Sequence, residues 1–270
     1  MLQNLVFATL ELRNTMASNT LRNSETSRNV LKDNLRAALT THDGDPRHPS
    51  VIEIIENLAT LNPTPVPTQT SQLLDGNWQL ISAPIFPDGK RLADGTYCYT
   101  LGRLAFNMFQ PQDLTVVIQQ VFQPVLPMEE PMQRTHDIVV DFVIAHPNNP
   151  SLRGTVRNLG ICKPASDTVL QVQFTGGVLE PAADTDLQQW NAIFENSKAP
   201  THSSIKDWVQ SQLLKLMFGL VPPKEINKET GRIEFQMRRS PKGSLTILYL
   251  DEELRITRGQ RETVLVCERR

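Results

Sequence analysis

No stretch of the 270-residue chain approaches the roughly 18 consecutive apolar residues that a membrane-spanning helix needs, so nothing reads as a bilayer span. Charge of one sign is missing too. The 27 basic residues stand against 29 acidic ones, for a net charge of -2, which removes the basic footprint of a nucleic-acid binder. Cysteine is scarce: Cys98, Cys162 and Cys267 are an odd, widely spaced trio, neither a disulfide framework nor a zinc signature. They suit a reducing compartment. The first residues lack a basic segment ahead of an apolar core, so no secretory signal is expected. Ser, Thr, Asn and Arg up to Arg28 faintly suggest a transit peptide, but the segment is short and Glu11 and Glu25 dilute it. Met16 is a second candidate start.

Catalytic signatures are absent as well. There is no G-x-S-x-G, P-loop, G-x-G-x-x-G or H-E-x-x-H. The five histidines, His42, His48, His136, His146 and His202, lack metal-ligand spacing. Cys162 could meet His136 or His146 only through the fold, and reads more simply as an ordinary thiol. Glu129-Glu130 and Asp251-Glu252-Glu253 are adjacent in sequence, which solvates a loop rather than making a facing acid–base pair. No metal and no cofactor is expected.

What the chain does have is proline: 19 Pro against 13 Gly, where average usage is roughly 5% and 7%. Proline avoids helix interiors and central strands, so the excess predicts many short, punctuated elements. Leu31, Leu35, Ala38 and Leu39 predict a helix over 26–40. Ser50 and Glu53 have capping-box spacing ahead of a stripe of Val51, Ile54, Ile55 and Leu58, a second helix that must stop at Asn62-Pro63. The domain reading is a flexible extension over 1–25, a helical hairpin over 26–62 and a proline-rich linker over 63–72. From there the period changes from 3.6 to 2. Segments 76–83, 96–109, 113–124, 135–146, 153–163 and 168–178 read as strands separated by turns such as Pro147-Asn148-Asn149-Pro150. A helical insertion over about 185–220 follows, including a second capping box at Ser204–Asp207 and an amphipathic stripe from Ile205 to Leu220. Strands then resume at Ile233/Phe235/Met237, 244–250, 253–258 and 262–268. The fold class is mainly β (α+β): an antiparallel up-and-down barrel of eight to ten strands over 73–270, preceded by the hairpin.

Two stretches carry a family resemblance. Residues 30–80 hold N-P-T-P-V-P followed by L-L-D-G-N-W-Q-L, and residues 243–268 hold Y-L-D-E-E-L-R-I-T-R-G. The chain resembles the plastid lipid-associated protein family, also called fibrillins or plastoglobulins, found in chloroplasts and cyanobacteria. The middle, 84–230, matches that pattern poorly. Gly76, Trp78, Tyr249, Asp251, Arg255, Arg258 and Gly259 fall on the family's first and last motifs. The resemblance implies a lipocalin-like barrel that binds hydrophobic molecules beside thylakoids or plastid lipid droplets. A cyanobacterial cytoplasm with peripheral thylakoid association is the expected location, or a plastid if the source is eukaryotic.

Trp78 beside Gly76 would then sit at the closed barrel end, with Arg255 or Arg258 over its ring and Asp251 paired to either arginine. The expected role is non-catalytic binding or shielding of a lipophilic molecule such as a carotenoid, quinone or lipid, with a structural and photoprotective purpose. Ligand-binding candidates are Trp78, Leu80, Phe122, Phe174 and Phe235. The expected partners are that hydrophobic molecule and the thylakoid surface, with no nucleic acid. Two alternatives stand beside this reading: a lipocalin-like bilin lyase, and a ligand-free structural coat or scaffold.

Overall fold

A computed structural model describes residues 2–145, 152–195, 220–221, 225–239 and 242–270. The expected amphipathic helix from Ile205, His146, His202 and the turn at Pro147–Pro150 lie outside the described residues, as does the Ser204–Asp207 capping box.

The first helix, α1 (Leu2–Thr41), starts far ahead of the expected residue 26. No glycine precedes Gly44 and no proline precedes Pro46, so nothing in the chain's opening breaks a helix. It ends where Asp43 (φ 58°) and Gly44 (φ 75°) turn left-handed and Gly44 N–H donates back to the Leu39 carbonyl at 2.7 Å. Next comes α2 (Pro49–Thr60), whose cap is His48 and not Ser50: the His48 ring accepts from Ser50 N–H, with Pro49 in the first helical position. Proline is suited there because its fixed φ is helical and the missing N–H would have no partner anyway.

The proline segment is tied down at both ends. The Asn62 side chain accepts from Leu250 N–H at 3.1 Å, Thr64 hydroxyl donates to the Leu250 carbonyl at 2.6 Å, and Thr68 hydroxyl donates to the Ser166 carbonyl. One helical turn, α3 (Ser71–Leu74), leads into the strands. These open with β1 (Gly76–Leu80), β2 (Lys90–Arg91), β3 (Tyr97–Thr100) and, after a turn of helix α4 (Leu101–Leu104), β4 (Thr115–Val125). They continue through β5 (Arg134–Thr135), β6 (Ile138–Ile144), β7 (Arg153–Pro164) and β8 (Val169–Pro181). Helix α5 (Leu187–Glu195), capped by the Asp186 carboxylate, precedes β9 (Leu220–Val221), β10 (Ile233–Met237), β11 (Lys242–Leu250), β12 (Leu254–Gly259) and β13 (Val264–Arg269).

All pairings among these strands are antiparallel. Strands β1, β4, β6, β7, β8, β11, β12 and β13 each pair with the next, and β13 pairs back onto β1. That is a closed up-and-down ring of eight, which leaves no free edge around the wall. Strands β3 and β10, with β2 and β9 beside them, extend it at one end, and β5 pairs with β7 at Ile161–Cys162 at the other. Residues 115–118 of β4 pair with β3 while 122–125 pair with β1. Likewise, residues 169–173 of β8 pair with β11 while 176–179 pair with β10. Both long strands carry a register shift at the changeover, near Ile118–Gln120 on β4 and opposite Leu159–Gly160 on β8, which bends the sheet there.

Three apolar clusters result. Leu35, Leu39, Val51, Ile55 and Leu58 of the helices pack on Tyr249, Leu254, Ile256 and Val266 outside the ring. Inside, one cluster around Trp78, Cys162, Leu170, Ile247 and Cys267 fills the end nearer α3. The other gathers Phe142, Val156, Trp190 and Phe235 at the β3 and β10 end. The expected strand over 96–109 stops at Thr100 instead. Leu101, Leu104, Ala105, Met108 and Phe109 all join this upper cluster. A segment buried on every side shows no period of 2, so its apolar run was legible as core but not as loop.

Candidate functional site

The floor of the barrel is built on Trp78, whose side chain is fully buried and whose indole N–H donates to the Leu74 carbonyl at 2.9 Å. Two guanidinium groups stack on its ring: Arg269 at 4.3 Å and Arg255 at 4.9 Å from the centroid. Arg269, opposite Trp78 in register, also donates to the carbonyls of Asp75 (2.6 Å), Glu252 (2.7 Å) and Leu73. Gly76 (φ 147°) passes so close to the Arg269 guanidinium that a Cβ there would collide with it. The expected stacking of Arg255 on the ring is therefore shared with Arg269, and the bonds that close the floor come from Arg269, which lies outside the family motif. Arg269 was findable: it continues the inward alternation of Leu265 and Cys267 along β13.

Two other expected roles are corrected. Arg258 reaches Glu262 at 3.6 Å and does not meet Trp78. Asp251 pairs with neither arginine. It accepts from Lys32 Nζ (3.1 Å), the Tyr249 hydroxyl (2.7 Å) and the backbone N–H groups of Glu253 and Leu254, closing the β11–β12 hairpin and fastening α1 to it. Burial pushes its pKa up, but these hydrogen bonds outweigh it and hold the carboxyl below its ordinary value. Gly259 N–H donates to the Thr263 carbonyl at 2.8 Å in the β12–β13 turn.

One row above the floor, Arg255 is 2% exposed and opposite Cys267. Its Nη2 donates to the Gln123 side-chain oxygen at 2.6 Å, and its Nε has no partner. Burial pulls its pKa below the usual arginine value, and Arg269 adds to that, against the thiols of Cys267 and Cys162. Those thiols are themselves pushed up by burial, Cys162 to about 11, so both stay protonated at neutral pH. His136 is held at about 3, first by burial and then by Arg255. Thr257, the next inward residue of β12, is also buried with an unpartnered hydroxyl.

Trp78 and Leu80 both face inward, Leu80 touching both interior clusters. Phe235 is buried in the upper cluster, edge-on to Phe109 at 5.3 Å. Phe174 is half-buried and meets Phe106, which is 45% exposed, edge-on at 5.2 Å. Phe122 is not with them. The register shift at Ile118–Gln120 puts Val121, Gln123 and Val125 inside, leaving Phe122 on the outer face; strict alternation from Val116 and Ile118 would have turned it inward.

The mouth is covered by residues 101–114. Their backbone hydrogen bonds run within the loop, such as Leu101 N–H to Leu114 O (2.8 Å) and Asn107 N–H to Gly102 O (2.8 Å). Asn158 of β7 donates to the Leu104 carbonyl at 2.8 Å and links loop to wall. Phe106 (φ 54°) and Asn107 (φ 57°) are both left-handed, a strained pair for non-glycine residues. Outside the barrel, a cleft of about 810 Å³ between α1 and β13 is lined by Lys32, Asp33, Arg36, Glu253 and Glu268, charges unsuited to a lipophilic molecule. Among the described residues no cluster of His, Cys, Asp or Glu is placed to hold a metal, and no helix is long and apolar enough to cross a membrane.

Neither the curated proteins nor the solved structures contain a match to this chain. A family model does, PAP_fibrillin, over residues 31–268. That span runs from α1 into β13 and takes in both motifs, Trp78 and part or all of every strand of the ring, ending one residue before Arg269. The chain belongs to the PAP_fibrillin family, the plastid lipid-associated proteins.

Proposed function

We propose that the protein binds or shields a lipophilic small molecule, a carotenoid, quinone or lipid, without catalysis. The family is one of plastid lipid-associated structural proteins, and is generally non-enzymatic. The observation that carries the finer reading is the asymmetry of the barrel ends. The floor is bonded shut at Trp78 and Arg269, while the mouth is covered by an apolar loop whose own hydrogen bonds are mostly internal. An eight-stranded up-and-down ring is also the size that holds one small ligand, as in lipocalins. Trp78, Leu80, Phe174 and Phe235 are the proposed apolar contacts. The proposed setting is a thylakoid or lipid-droplet surface, in a cyanobacterium or plastid, with a photoprotective purpose.

Extraction of the protein from its native source with organic solvent, followed by absorption and mass spectrometry, tests this. A recovered pigment, quinone or lipid near one per chain is expected, together with uptake of added carotenoid or quinone. A clean extract and no uptake would favour a ligand-free scaffold, a reading that the fully buried Trp78, Phe109, Phe142 and Trp190 inside the barrel support.

A further inference from the structure

We propose that Arg255 is the anchor for the carboxylate of an amphipathic acid held in the barrel, with the acid's apolar tail directed toward the mouth. This rests on the lipophile-binding reading above and names the ligand class. The argument begins with what a buried guanidinium requires. Taking such a charge out of water costs several kcal/mol, so buried charges are paired and their donors filled. Arg134, 5% exposed, obeys that rule with Asp75 Oδ1 at 2.5 Å from its Nε. Arg255 is more deeply buried and, among the described residues, no carboxylate pairs with it.

Nothing around it supplies the missing charge. Gln123 is neutral. The Cys267 and Cys162 thiols are protonated, His136 is neutral, and Arg269 on the same indole face system is a second cation. Two donors are left over in the same place: Arg255 Nε–H, and the hydroxyl of Thr257, the next inward position on β12, about 7 Å along the strand. A carboxylate accepts from N–H groups along one edge of a guanidinium and from a hydroxyl, and charge-assisted bonds of this kind are the strong ones.

The surroundings choose an amphipathic acid over a bare anion. Leu265 lies opposite Thr257 in register and Leu80 opposite Cys267, itself opposite Arg255, while Phe174 and Phe235 meet Phe106 and Phe109 of the 101–114 loop. In this reading the charged head would sit deep and the apolar chain above it. A pure hydrocarbon would leave the guanidinium unpaired.

Fluorescence titration of the full chain with cis-parinaric acid, its methyl ester, β-carotene and sodium acetate tests the assignment. The acid should bind tighter than the ester by roughly tenfold or more, the worth of a charge-assisted bond. Arg255→Met should erase that preference while keeping ester affinity, Arg255→Lys should restore part of it, and acetate should fail to displace the acid. Circular dichroism checks the fold of each variant. Should Arg255→Met not fold, Thr257→Val reads the same preference through a smaller, acid-selective loss. Equal binding of acid and ester by the wild type would overturn the anchor while leaving lipophile binding intact. Displacement by acetate would also overturn it, as a small-anion site. Failure of acid, ester and carotene alike would overturn the lipophile-binding reading itself.

Discussion

At the floor of the barrel Arg269 donates to three backbone carbonyls and stacks on Trp78, whereas one row higher Arg255 stacks on the same ring with a donor left over. Both are arginines on neighbouring strands of one wall, and both point inward. The difference lies in what faces them. Arg269 meets the carbonyls of Leu73, Asp75 and Glu252, groups that need donors wherever the chain turns at the barrel's end. Arg255 meets a side-chain amide, two neutral thiols and a neutral imidazole. The floor is therefore complete as it stands, and the row above it is not.

Substitutions can break or sharpen that contrast. The largest effect is expected for Trp78→Ala, which empties the centre of the floor and should cost about 3–5 kcal/mol by urea unfolding. Arg269→Met leaves three carbonyls short of a donor and should cost about 2–4 kcal/mol in the same assay. If it proved neutral, closure would rest on the indole alone. Next comes His136, an interior group. Its native pKa near 3 lies below the ordinary 6.5, so the unfolded chain takes a proton that the folded one refuses. Stability should fall as pH drops from about 6.5 toward 3, with a slope of at most about 1.4 kcal/mol per pH unit, and His136→Asn should flatten it. The smallest effect is expected for Arg255→Met. Replacing an uncompensated buried charge with an apolar chain should stay within about 1 kcal/mol of the wild type, despite deeper burial than Arg269. A large loss would place Arg255 among the closure residues.

The ring was largely legible because its strands alternate and its turns are punctuated: Leu170 and Val172 of β8 face in between the half-buried Gln171 and Gln173. Four things were not. The register shift at Ile118–Gln120 carries no glycine to signal it, and it alone turns Phe122 outward. The 101–114 cover is as apolar as a strand, since it is buried between walls rather than lying on one face. The use of Asp251 for Lys32 depends on α1 returning beside the β11–β12 hairpin, a contact across 219 positions that spacing does not report. Arg255 stood out in the motif, but only the three-dimensional arrangement shows that it lacks a counter-charge.

The seam between β1 and β13 has a consequence for how such a chain comes into being on a ribosome. Trp78 lies opposite Arg269, and Arg270 N–H reaches the Asn77 carbonyl at 2.8 Å, so the first strand of the ring waits for its partner until the thirteenth has emerged. During that wait β1 can hold only β4, and the indole has no cations to stack on. Pairings so distant along the chain form slowly, and unpaired strand edges invite association with neighbours. The ring therefore cannot close, and β1 keeps one edge without its native partner, until the end of the chain has been made.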